Sequence, residues 1–123
     1  MTKTLLMAAA LIGGASAAAA NEPIVVQAGS VATGYQLLMA GKTRSAIDEL
    51  QRVSERNDPT RLINLGTAHA RMGEWDEAKS HYRAAMRSDQ RSEIELSNGE
   101  WMDSRAAARL ALRRLSAYQL ALR

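Results

Sequence analysis

The sequence predicts a mainly α-helical chain built from repeated helix pairs, and three observations predict it. Apolar residues recur at helical spacing, as in Ala46, Ile47, Leu50 and Val53. Glycines and capping residues mark where such segments stop and start. The segments also repeat: Gly34 matches Gly66, Gly41 matches Gly73, Ala46 matches Ala78, Leu50 matches Tyr82 and Val53 matches Ala85, each at an offset of 32 residues. Composition agrees, since 123 residues contain no Phe and only 4% aromatics. A core of small side chains suits helices packed closely in pairs. The length allows one domain.

Residues 1–20 are set apart from the fold. Met1-Thr2-Lys3 is a positive start, residues 4–12 an apolar run, and residues 13–20 small. This is the order of a secretory signal peptide, with cleavage expected after Ala18-Ala19-Ala20, or alternatively after Ala15-Ser16-Ala17. The run is shorter than the roughly 20 apolar residues that span a bilayer. The expectation is therefore a periplasmic or secreted protein of a Gram-negative bacterium, without a stable transmembrane anchor. Cysteine is absent, which excludes disulfides, thiolate catalysis, cysteine metal sites and a lipoprotein anchor. The net charge of +3, or +2 once Lys3 leaves with the signal, is too mild to point to nucleic acid.

Residues 21–29 form a lead-in in which Ile24-Val25-Val26 reads as extended. Ser30 is placed to cap a helix over about 31–40, which Gly41 ends. Thr43 is placed to cap a second helix to about residue 56. Asp58 can cap a third, with Pro59 at its first position, where the missing N–H removes no bond. That helix carries Leu62, Ile63, Leu65, His69 and Met72 and ends at Gly73. A fourth has Asp76 and Glu77 in its first turn and Ala78, Tyr82, Ala85 and Met86 on one face.

Glu93-Ile94-Glu95-Leu96 alternates with period two and is followed by Asn98-Gly99, which predicts a short β-hairpin over about 93–103. An irregular loop or a glycine-broken helix is the alternative. A two-residue turn would pair Leu96 with Trp101, turning Ile94, Leu96 and Trp101 towards the helices and Glu95 and Met102 away. Residues 24–26 would supply a third strand. After Asp103 or Ser104 as cap, a helix over about 105–122 should cap the fold. Ala107, Leu110, Ala111, Tyr118 and Leu122 trace its apolar face, Leu112, Leu115 and Leu120 widen it, and Arg105, Arg109 and Arg113 form a basic stripe.

Residues 59–92 resemble a tetratricopeptide repeat, the 34-residue helix–turn–helix unit. Leu62 stands where that family favours Trp, Leu65-Gly66 where it has Leu-Gly, and His69 at its usual Tyr. Gly73, Ala78, Tyr82 and Ala85 fall on its small or aromatic positions, while Gln90 replaces its closing Pro. Residues 27–58 are a shortened copy, departing at Thr33 and Leu37. One domain is thus expected over 21–123: tetratricopeptide-like repeats at about 27–58 and 59–92, as the resemblance implies, then the hairpin at about 93–103 and the capping helix at about 105–122. The arrangement is similar to small exported tetratricopeptide proteins of proteobacteria.

In this family the asparagine before Leu-Gly often holds a partner's backbone, and Asn64 has that position. Tyr35, Met39, Thr67 and Arg71 are the other inward positions that the resemblance implies. Ala32 stands in the first copy where Asn64 stands in the second, so a two-repeat carboxylate clamp is not implied. The plainer reading of Asn64 is a capping or solvated amide. On the family reading, Asn64→Ala weakens partner binding without unfolding the chain, whereas Gly66→Leu destabilises the fold.

The sequence offers no catalytic constellation. Gly41-Lys42-Thr43 resembles the end of a P-loop, but Gln36 stands where that motif needs glycine and a helix precedes it. His69 reads as a packing residue and His81 as a solvated one, with no metal-ligand spacing. Trp75 and Trp101 read as fillers of helix seams. The expected protein is no enzyme and takes no metal or cofactor. It is an exported interaction module that binds a peptide or helix of a protein partner in a concave groove. A self-associating subunit of an envelope assembly, hence a homo-oligomer, is the alternative. A weaker one is binding to anionic membrane through the basic terminal helix.

Overall fold

The computed structural model describes residues 23–27 and 32–122. The expected signal, its cleavage site and the Ser30 cap lie outside the described residues. The chain is mainly α-helical, as its sequence predicts. The elements run β1 (Val26–Gln27), α1 (Ala32–Met39), α2 (Thr43–Arg52), α3 (Pro59–Arg71), α4 (Trp75–Arg87), β2 (Glu93–Leu96), β3 (Trp101–Asp103) and α5 (Ser104–Ala121).

The sequence repeat is a structural repeat. A Cβ added at Gly34 would lie 2.5 Å from Leu50 Cδ2, and one added at Gly66 would lie 2.5 Å from Tyr82 Cε1. Both glycines are therefore points where the two helices of a pair touch. The links between the paired helices match as well, with Gly41 and Gly73 both at φ 77°.

Helix ends follow local chemistry. Asp58 caps α3, its carboxylate accepting from the Thr60 N–H at 3.0 Å, with Pro59 beginning the helix. Two expectations fail on α2. Thr43 lies inside the helix, and Lys42 at the cap makes no side-chain capping bond. The helix also stops at Arg52, with Val53 extended at ψ 126°. The Leu50 carbonyl, which a further turn would have paired with the Ser54 N–H, instead accepts from Arg61 Nε at 2.7 Å, and Arg61 Nη1 donates to the Arg56 carbonyl beyond the helix at 3.0 Å.

The strands form one antiparallel sheet in the order β1-β2-β3. The hairpin exists, but its register differs by one residue from the expected one. Ile94 faces Met102 and Glu95 faces Trp101. The loop has three residues, not two. Leu96 N–H donates to the Glu100 carbonyl at 2.8 Å, and Gly99 N–H closes a turn onto the Leu96 carbonyl at 2.9 Å. Gly99 takes φ 90°, which fits the three-residue hairpin ending in a glycine bulge. Asn98 Oδ1 accepts from the Glu100 N–H at 3.0 Å and braces the longer loop. Because side chains alternate, the one-residue shift turns Trp101 outward, 64% exposed, and Met102 inward against the core.

Two apolar clusters lie beneath the surface. One joins α3, α4, α5 and the sheet through Ile63, Tyr82, Ile94, Ala107 and Leu115. The other joins α1, α2 and α3 through Leu38, Ala46, Leu50 and Leu65. On α5 the buried residues are Ser104, Ala107, Ala108, Ala111 and Leu115. Leu122, expected on that face, is 60% exposed, whereas Leu115, expected at its margin, is core. Trp75 fills a seam as expected, its ring edge-on to Tyr118 at 6.0 Å.

Candidate functional site: a groove closed on an extended segment

The groove residues of α3 are buried by this chain's own lead-in. Asn64 is fully buried, and its side-chain amide meets the backbone of Val26 twice. Val26 N–H donates to Asn64 Oδ1 at 2.8 Å, and Asn64 Nδ2 donates to the Val26 carbonyl at 2.7 Å. A side-chain amide has the donor and acceptor of a peptide group, so Asn64 takes the place of a neighbouring strand. Three residues further along α3, the Thr67 hydroxyl donates to the Ile24 carbonyl. It also lies 2.9 Å from the Tyr82 hydroxyl.

The other edge of the segment is satisfied by the hairpin. Val26 pairs with Leu96 and Gln27 with Glu95, and Ser97 N–H donates to the Val25 carbonyl at 3.0 Å. In an antiparallel ladder successive residues bond to opposite sides. Val25 therefore turns to β2, and Val26 turns to Asn64.

Both faces of the segment are buried too. Ile24 and Val26 enter the cluster of α3, α4, α5 and the sheet, while Val25 enters the cluster of α1 and α2. These three residues are 3%, 0% and 3% exposed. Burying three β-branched side chains contributes roughly 5–9 kcal/mol as an upper figure. The segment is thus the seam between the two clusters.

The predicted site residues divide accordingly. Asn64 and Thr67 come together on the segment. Met39 and Arg71 line an open cleft of about 330 Å³ at its Pro23 end, together with Leu38 and Tyr118. Arg71 donates to the Leu38 carbonyl at 2.6 Å, tying α3 to the end of α1. Met39 is 54% exposed, and Tyr35 packs against the α1–α2 cluster that holds Val25. The expectation that Asn64 faces a free groove is corrected, because Val26 occupies it. One signal for this was present: Ile24-Val25-Val26 is an unbroken apolar run, as in a strand buried on both faces, and does not alternate.

The basic stripe is also divided. Arg105 Nη2 donates to the Ser88 carbonyl at the end of α4 at 3.0 Å, whereas Arg109 and Arg113 are exposed. His81 is half-buried, not solvated as expected, and its ring stacks on His69 at 5.1 Å. Burial, then the neighbouring His69 and Arg61, lower its pKa to about 4 against the opposing pull of Glu77.

The groove's chemistry is that of a backbone holder. Asn64 and Thr67 do not ionise near neutral pH, and burial pushes the Tyr82 phenol further above its usual range. These groups donate and accept hydrogen bonds with fixed geometry. Among the described residues no three His, Cys, Asp or Glu cluster to hold a metal. No helix among them is long and apolar enough to cross a membrane. No protein-family model, curated protein or solved structure matches the chain.

Proposed function

We propose that this chain is an exported, tetratricopeptide-like interaction module that grips an extended peptide segment, with residues 23–27 as the resident occupant. The observation that carries the reading is the two-point hold of Asn64 on the Val26 backbone. Main-chain bonds of this kind supply affinity, and pockets for alternate side chains supply selectivity, as in recognition by strand addition. Such a site favours an extended peptide over a helix, whose backbone groups are already paired. The membrane-surface reading has less support, since Arg105 is committed to Ser88 and only part of the arginine stripe faces solvent.

The test uses the full chain and a fluorescent peptide with the sequence of residues 22–29. Val26→Pro removes the N–H that Asn64 accepts and should release the resident segment. The substituted chain should then bind the peptide saturably, about tenfold tighter than the unsubstituted chain. Adding Asn64→Ala should abolish the gain. A variant that keeps its helical circular dichroism yet binds no peptide overturns the proposal. If Val26→Pro unfolds the chain, Gln27→Cys with Glu95→Cys provides the second measurement. The reduced chain should bind the peptide and the oxidised, locked chain should not. Equal binding by both overturns the reading.

A further inference from the structure

The resident segment is held as a ligand would be. Its hydrogen bonds run to Asn64 and Thr67 on α3 and to Ser97 in the hairpin loop. Its side chains fill pockets in two separate clusters. An occupant that replaces it must therefore present three consecutive branched aliphatic residues and a free backbone N–H at the middle of the grip. One polypeptide is known to fit all of these demands: the same segment of another copy.

Residues 28–31, Ala28-Gly29-Ser30-Val31, connect the segment to α1 in the chain. A segment seated in a second copy makes the same bonds as one seated in its own. The balance is then set by protein concentration against the effective concentration of the tethered segment.

We propose that residues 23–27 exchange between copies, so that the segment of one chain seats on Asn64, Thr67 and β2 of a second chain. The inference rests on the groove reading above and adds that the partner is the chain itself. It gives the self-associating alternative a physical form, an exchanged dimer in which each copy completes the other's core.

The chain lacks cysteine, so a single introduced thiol reports on one position. Gln27 and Glu95 are cross-strand partners, and neither is buried. Full chains carrying Gln27→Cys alone and Glu95→Cys alone are purified apart, mixed and oxidised in glutathione buffer. Exchange should yield a disulfide between positions 27 and 95 of different copies, about tenfold over links between like positions. The yield should rise towards about 1 mM, the effective concentration of a short tether. Placing Asn64→Ala in the Glu95→Cys copy should reduce it about fivefold. Sedimentation of the unsubstituted chain over the same range is the second readout and should show a growing dimer. Cross-links no commoner than those between like positions, or a monomer throughout, overturn the exchange. If the peptide of residues 22–29 still binds the Val26→Pro chain, the groove reading survives that result. If the peptide also fails, both proposals fall.

Discussion

Asn64 and Val26 are joined by two hydrogen bonds of 2.8 and 2.7 Å, although α1, α2 and the link before α3 separate them in sequence. A side chain from the centre of one helix thereby completes the edge of a sheet.

That relationship reverses the expectation that Asn64→Ala would spare the fold. Alanine leaves the Val26 N–H and carbonyl buried and unpaired, at about 2–4 kcal/mol for the two groups. Asn64→Asp should cost no less, because the carboxylate cannot donate to the Val26 carbonyl. Urea unfolding followed by circular dichroism measures both. A midpoint shift worth under about 0.5 kcal/mol would show that the grip does not support the fold.

The glycine contacts predict an ordered pair of losses. Gly66→Ala drives a Cβ against the ring of Tyr82, which is fully buried and held by Thr67. It should destabilise by about 1–3 kcal/mol. Gly34→Ala meets Cδ2 and Cγ of Leu50, which is as deeply buried as Tyr82 but has no polar atom to be held by a hydrogen bond, and should lose less. Thermal melts of the two variants give the order directly, and an inverted order refutes the asymmetry between the repeats.

His81 predicts acid sensitivity. Its pKa is about 4 in the folded chain and 6.5 when unperturbed, so the unfolded chain binds its proton first as pH falls. Stability from this group is full above pH 6.5, declines between pH 6.5 and 4, and is constant below that window. Allowing for its partial exposure to solvent, the decline is on the order of 1–2 kcal/mol. Subtracting the stability profile of His81→Gln from that of the unsubstituted chain should isolate it. A difference that is flat with pH rules the effect out.

The hairpin register predicts which residue matters. Trp101→Ala should shift stability by under about 0.5 kcal/mol, because the ring is 64% exposed. Met102→Ala, at an inward and partly buried position, should cost about 1 kcal/mol. The reverse ranking would restore the two-residue turn.

Much of the architecture was legible because its causes are local. Asp58-Pro59 caps a helix within a few residues of itself, and the glycines at 34 and 66 recur with the segments they serve. The hairpin was legible from alternation, but its register was not. Asn98-Gly99 is compatible with loops of two or three residues, and which side of Trp101 or Met102 is buried depends on what lies beneath the sheet.

The sequence by itself determined the helix pairs, their close contacts and the place of the hairpin. These follow from periodicity, backbone conformation and capping, which act over a few residues. Tertiary structure alone decided that residues 23–27 lie against Asn64 and Thr67 and that Arg105 leaves the exposed stripe. Each is a contact between groups far apart in the chain. Its free energy comes from polar groups that must find partners once packing has removed water.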